Sequence, residues 1–258
     1  MNDAKVLDNP SPRFRRAGFM DEVRGFCILC MVFYHAMFDL NYTYGIHIPL
    51  MFDGWFGIIR DIFAGMFIFI SGMACRYSRN NAKRGIQCFF IGMVITFIFA
   101  FFAPEAPILF GILHFMGVSM MIYAISEKQL SKIPDKIAIP ACVILFVLTR
   151  GISAGYLGIG NGMGIELPRV IYDAGLLFPL GFIKSGFTSM DYFPLLPWLF
   201  VFLAGTYLGK YAVEDRMPEF FYKTHFKPLA VCGRYTLWIY VLHQPLLIGI
   251  FLLIFGHI

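Results

Sequence analysis

The stretch DEVRGFCILCMVFYHAMFD, residues 21–39, is an apolar run of membrane-spanning length that carries Arg24 near its start and His35 halfway along. Eleven residues at about 100° each make three turns plus about 20°, so a helix points both side chains the same way. At about 1.5 Å per residue the imidazole stands roughly 16 Å from the guanidinium, near the middle of a hydrocarbon core about 30 Å thick. An ionisable group at that depth is costly, which makes His35 a candidate functional residue. Asp39 follows one turn later on the same face. A carboxylate at (i, i+4) can orient an imidazole, fix its tautomer and stabilise its protonated form. The pair is therefore equipped for general acid–base chemistry.

Further ionisable residues fall within or beside apolar runs. Arg60 and Asp61 lie early in a second run, His114 near the start of a fourth, and His243 nine residues beyond Arg234 in the last. That spacing lifts His243 roughly 14 Å from the boundary marked by Arg234, a depth similar to that of His35. The connections add His47, Asp53, Asp191 and Trp198. Each has a structural alternative. Arg60 can snorkel to the interface. His114 can bind a neighbouring carbonyl, and His243, just before Gln244-Pro245, can satisfy backbone groups freed by the proline. His47 reads equally as a solvated loop residue. No two histidines form an H-x-x-x-H pair, so no metal site is expected. Cys27-x-x-Cys30 lacks a second pair and reads as small apolar packing. Ser71, in FISGM, reads as a small packing residue rather than a nucleophile.

These residues require elements that cross a membrane. The 258 residues are 59% hydrophobic and only 14% charged, where a soluble domain carries about 25% charged residues. Seven apolar segments stand out, at 23–42, 55–75, 86–103, 109–126, 137–149, 193–211 and 235–255. The expected fold is an all-α polytopic transmembrane bundle of about seven helices, seven to eight. Residues 150–192 are the open zone: a glycine-rich loop, then an apolar stretch at 171–187 interrupted by Pro179, which reads as a re-entrant or interfacial helix or as an eighth span. With the N-terminus cytoplasmic, 17 of the 21 basic residues fall on the inner side, leaving Arg60, Arg150, Arg169 and Lys184 outside. Residues 1–17 are polar and are expected to form a flexible cytoplasmic tail, with one transmembrane domain over 18–258. The net charge of +5 then follows from topology, and no nucleic-acid partner is implied.

The spacing in RGFCILCMVFYH, arginine, ten residues, histidine, resembles the first-helix signature of the family-3 membrane acyltransferases. Across the whole chain the resemblance is closer to bacterial relatives of the heparan-α-glucosaminide N-acetyltransferase catalytic domain. It is carried by DEVRGFCILCMVFYHAMFDL, RDIFAGMFIFISGMA, FGILHFMGVSMM, DYFPLLPWLFVFLAGTYLG and TLWIYVLHQPLL, which together cover most of residues 19–250.

This resemblance implies a multi-pass acetyltransferase of a bacterial cytoplasmic membrane, with acetyl-CoA as donor and a sugar or amino-sugar acceptor on the outer face. It implies Arg24, with Arg76 or Arg234, as holder of the CoA phosphates, since arginine offers them a planar bidentate fork. His35 held by Asp39 is then the general base, with an acetyl-histidine relay as the covalent variant. His114, His243 or Arg60 would stabilise the oxyanion. Asp61, Asp191 and Trp198 would meet the acceptor, and His47 competes with His35 for the catalytic role. Direct and covalent routes, the acceptor, and a monomeric or homodimeric state all stay open. The rival readings are a proton-coupled small-molecule transporter and a non-catalytic membrane subunit.

Overall fold

The computed structural model describes residues 14–159 and 163–256. The tail expected over 1–17 therefore lies outside the described residues as far as residue 13. At 14–17 the chain is held: Phe14 packs edge-on against Tyr77, Arg15 forks onto Glu219 at 2.6 and 2.8 Å, and Ala17 is buried.

Seven long helices coincide with the seven apolar segments. They are α1 (Gly18–Tyr42), α2 (Gly54–Cys75), α3 (Asn81–Phe102), α4 (Ile112–Leu130), α5 (Asp135–Thr149), α7 (Leu195–Val213) and α10 (Thr236–Phe255). Six of them are long and apolar enough to cross a membrane, with α5 continued by a 3-10 turn to Ala154. The exception is α4, whose last turn carries Glu127, Lys128 and Gln129 and which is largely buried by its neighbours. An apolar helix satisfies all of its backbone within itself, which is why these segments form helices and nothing else. Their ends are set locally. The Asn80 side chain accepts from Lys83 N at 2.8 Å to open α3, and Gly256 takes φ 75° to close α10.

Between α5 and α7 the chain makes a small hairpin of β1 (Tyr156–Gly158) and β2 (Gly164–Glu166), then the five-residue α6 (Arg169–Asp173) and a 3-10 turn at Phe178–Leu180. No spanning helix forms over 171–187. Pro179 and the left-handed Gly175 and Gly181 cut the apolar run into pieces too short to cross. Two short helices, α8 (Glu219–Tyr222) and α9 (Lys227–Arg234), precede α10.

At the centre, α2, α4 and α7 share a core that includes Ile68, Phe115, Tyr123 and Phe202. Around it, α3 packs on α4, α5 on α7, and α1 on α2, α9 and α10. The α2–α7 contact is made at backbone distance: a Cβ on Gly72 would collide with the Phe202 carbonyl, and one on Gly205 with the Phe69 carbonyl. Small residues allow such approach between membrane helices, where dispersion replaces the hydrophobic drive.

Candidate functional site

Two openings lie along α1 and α2, and α1 runs unbroken past both. At the Arg24 end is a pocket of about 390 Å³, lined by Arg16, Asp21 and Arg24 of α1 and its approach, Tyr77 and Ser78 beyond α2, and Arg84 of α3. Buried Asp21 gathers the cations. It accepts from Arg16 at 2.7 and 3.0 Å and from Arg24 at 3.5 Å, and Arg234 stands 3.9 Å away. Arg24 also donates to the Gly233 carbonyl at 3.4 Å, which ties α1 to α9. The Tyr77 hydroxyl is buried, has no hydrogen-bond partner among the described residues, and is held in its neutral, donating form by burial, which pushes its titration up to about 12. The pocket thus offers several donors and an excess of positive charge.

At the other end is a cavity of about 880 Å³. His35 lines it together with Cys27, Cys30 and Tyr34 of α1, Arg60 and Asp61 of α2, Arg150 at the end of α5, Asp191 before α7, Trp198 of α7 and Tyr240 of α10. Arg60 donates to Asp61 at 2.8 Å, and Arg150 approaches the other Asp61 oxygen at 3.7 Å. Trp198 packs against Phe146 and Phe193. Asp191 accepts from the Tyr240 hydroxyl at 2.7 Å and from Ile112 N at 3.0 Å. Its carboxyl is raised above the usual range by burial, an effect those two donors oppose.

His35 and His243 meet, with ring centroids 5.0 Å apart. His243 Nδ1 donates to the Tyr240 carbonyl at 2.6 Å, so its Nε2 keeps a lone pair. The expected partnership of Asp39 with His35 is replaced by another: Asp39 accepts from Gln244 of α10 at 2.8 Å. Both His35 and Asp39 thus look across to the same helix, and the (i, i+4) pairing yields to these contacts.

The remaining candidates are separated from this cavity. His114 is buried in the α3–α4 seam beside Phe89, Phe110 and Gly92, because two residues after cavity-lining Ile112 the helix has turned by about 200°. His47 stacks on Phe52 in the connection before α2. Arg76 donates to the Thr206 carbonyl at 2.9 Å and lies 3.5 Å from Glu127, turned toward α4 and α7 rather than toward Arg24. Sequence reasoning overlooked Arg16, Arg84, Tyr77, Arg150 and Tyr240. Arg150 was marked as one of only four basic residues on the outer side. Tyr240 precedes His243 by nearly one turn. No local signal pointed to Arg84.

A family model described as heparan-alpha-glucosaminide N-acetyltransferase, catalytic, matches residues 16–245. The chain belongs to this family. The matched span contains every residue that lines the two openings. No curated protein matches, and no solved structure does. At family level this is a membrane acetyltransferase, of a type that uses acetyl-CoA as donor. Among the described residues, no group of three or more His, Cys, Asp and Glu side chains could hold a metal ion.

Proposed function

We propose that the chain transfers an acetyl group from acetyl-CoA, bound at the Arg24 end, to an amine or hydroxyl of a sugar held at the Asp61 end. The carrying observation is the stacking of a cationic pocket and a histidine-lined cavity along one unbroken helix, with Arg24 and His35 roughly 16 Å apart along its axis. The Arg24 end is cytoplasmic in this reading. It carries Arg16, Arg24, Arg84 and Arg234, in line with the excess of basic residues expected on the inner side.

Arg16, Arg24 and Arg84 fit the phosphates of CoA, with the neutral Tyr77 hydroxyl as a further donor. Asp21 holds Arg16 and Arg24 in place and leaves a net positive site. The pantetheine arm then runs along α1 and brings the thioester to His35. In the transfer, His35 takes the proton from the acceptor amine or hydroxyl as that atom attacks the thioester carbonyl. A tetrahedral oxyanion forms, and Arg60, which lines the cavity with His35, stabilises it. Its collapse breaks the carbon–sulfur bond, and the leaving thiolate recovers the proton from His35. His243 orients His35 from across the interface, in place of the carboxylate expected from the sequence. Trp198 gives the sugar an apolar face to stack on, and Asp61 and Asp191 offer acceptors for its hydroxyls.

The test uses purified full-length protein in nanodiscs with acetyl-CoA labelled in its acetyl group. Saturable binding, release of CoA and labelling of an amino-sugar acceptor are expected, with transfer lost in His35→Ala. Absence of saturable acetyl-CoA binding would overturn the reading. Transfer that survives in His35→Ala but not in His47→Ala would move the base to the loop.

A further inference from the structure

The His35 cavity is larger and more apolar than an acetyl group and a sugar require, and it reaches the exposed apolar face of α1. Its volume of about 880 Å³ lies near the top of the range of about 300–1,000 Å³ for small-molecule pockets. Phe26 and His35 are nine residues apart, hence about 180° around α1, yet both line it. Phe26, Leu29 and Phe33 form one stripe at helical spacing and are 43%, 42% and 62% exposed. They belong to the outward face of the helix. A single cavity touches both faces by passing through the α1–α2 seam, where Phe26 meets Phe63 and Tyr34 meets Phe56. On α2, Phe56 and Ile59 line the cavity before Arg60 and Asp61, and Phe63, Ala64 and Phe67 continue it as an apolar wall beyond them.

The polar end has a charge of its own. Two guanidiniums, Arg60 and Arg150, share the single Asp61 carboxylate at 2.8 and 3.7 Å. Burial favours the neutral form of Asp191, so one positive charge is left over at this end, where Ser153 and Ser189 also line the cavity. That arrangement suits one anionic group, and arginine suits a phosphate. A cavity with a cationic head end, an apolar body and a side opening at membrane depth matches an amphiphile.

We propose that the acceptor is an anionic membrane amphiphile, a sugar phosphate carried on a hydrocarbon chain, which enters sideways through the α1–α2 seam with its head at Arg60 and Arg150. The inference rests on the acetyltransferase reading above. The acyl donor arrives from the other end of α1, so the two substrates meet at His35 without crossing.

Two acceptors with the same amino-sugar phosphate head separate the possibilities, one free in water and one on an alkyl chain, each given to the full-length protein in nanodiscs with labelled acetyl-CoA. A kcat/KM higher by about 10-fold or more for the chain-bearing acceptor is expected, since even one methylene in an apolar site is worth that much. Leu29→Trp, which fills the seam, lowers that value for the chain-bearing acceptor and spares the soluble one. A loss shared equally by both would overturn the side entry. Arg150→Gln raises KM for the phosphate amphiphile by a larger factor than for a neutral alkyl glucosaminide, and an equal rise for both would overturn the anionic head. Equal use of the two sugar phosphates overturns the amphiphile and leaves acetyl transfer standing, as does CoA release with neither acceptor labelled. No turnover of acetyl-CoA under any condition overturns both.

Discussion

His35 of α1 and His243 of α10 face each other with ring centroids 5.0 Å apart, and a hydrogen bond from His243 Nδ1 to the Tyr240 carbonyl fixes the tautomer of His243. The two residues are distant in sequence and similar in depth. Their roles separate on substitution. His35→Ala is expected to lower kcat by about 10²- to 10⁴-fold, the usual contribution of a positioned base. His243→Phe keeps a ring against His35 and removes its nitrogens, and a smaller fall in kcat with KM for acetyl-CoA unchanged is expected. Steady-state CoA release measures both. An equal loss in the two variants would make His243 the base or an equal partner.

The donor site makes a prediction about charge. Arg24→Gln and Arg84→Gln are each expected to weaken acetyl-CoA binding by about 10-fold or more, since a charge-assisted hydrogen bond contributes about 1.5–3 kcal/mol. The effect on a donor analogue without phosphates, such as an acetylated pantetheine, should be slight. Titration calorimetry with both ligands checks this. An equal loss for the two would show that the arginines support the fold and do not read phosphate.

Asp191 gives a dependence on pH. Burial raises its carboxyl in the folded protein, so the protonated form favours the fold. The contribution is therefore fully present below the unfolded carboxyl range and is lost as pH rises through the raised folded value. Asp191→Asn keeps an acceptor for Tyr240 and Ile112 and carries no charge. Wild type minus variant, melting temperature should fall as pH rises from the ordinary carboxyl range upward. A flat difference would refute the shift.

Close helix contact predicts a stability effect far from either opening. Gly205→Val places a side chain against the Phe69 carbonyl and Gly72→Leu one against the Phe202 carbonyl. Overpacking of this kind costs about 1–3 kcal/mol or more. Thermal unfolding in detergent should register the loss in each variant. Melting temperatures equal to wild type would mean that α2 and α7 separate more easily than their contacts indicate.

Much of the fold was legible because apolar length is a local property. All seven expected segments became long helices, and the phase that aligns Arg24 with His35 holds along the unbroken α1. Phase also carries its own limits, since it says which way a side chain points and not which helix stands there. Asp39 is on the face expected, and Gln244 of α10 occupies it. His114 has the depth expected, and α3 stands where it points. Arg76 and Arg84 are both basic residues near the Arg24 end, yet one turns to Glu127 and Thr206 and the other lines the pocket. The 171–187 stretch was ambiguous in apolarity alone, and glycine and proline conformations resolved it into turns.

The carboxylate of Glu22 on α1 accepts from the backbone amides of His225 and Phe226, the latter at 2.7 Å, across more than 200 residues of chain. With Arg24 on the Gly233 carbonyl and His35 on His243, the earliest of the described helices finds several of its polar partners in the last ones. Synthesis runs from the N-terminus, so α1 is made with Glu22 and His35 without these partners, while Arg24 already has Asp21 on its own helix. Those two stay without them until α9 and α10 arrive. A nascent chain halted before residue 225 would hold every residue that lines the Arg24-end pocket and still lack Tyr240 and His243 at the His35 cavity, which makes the arrival of α10 the event that completes the transfer end of the site.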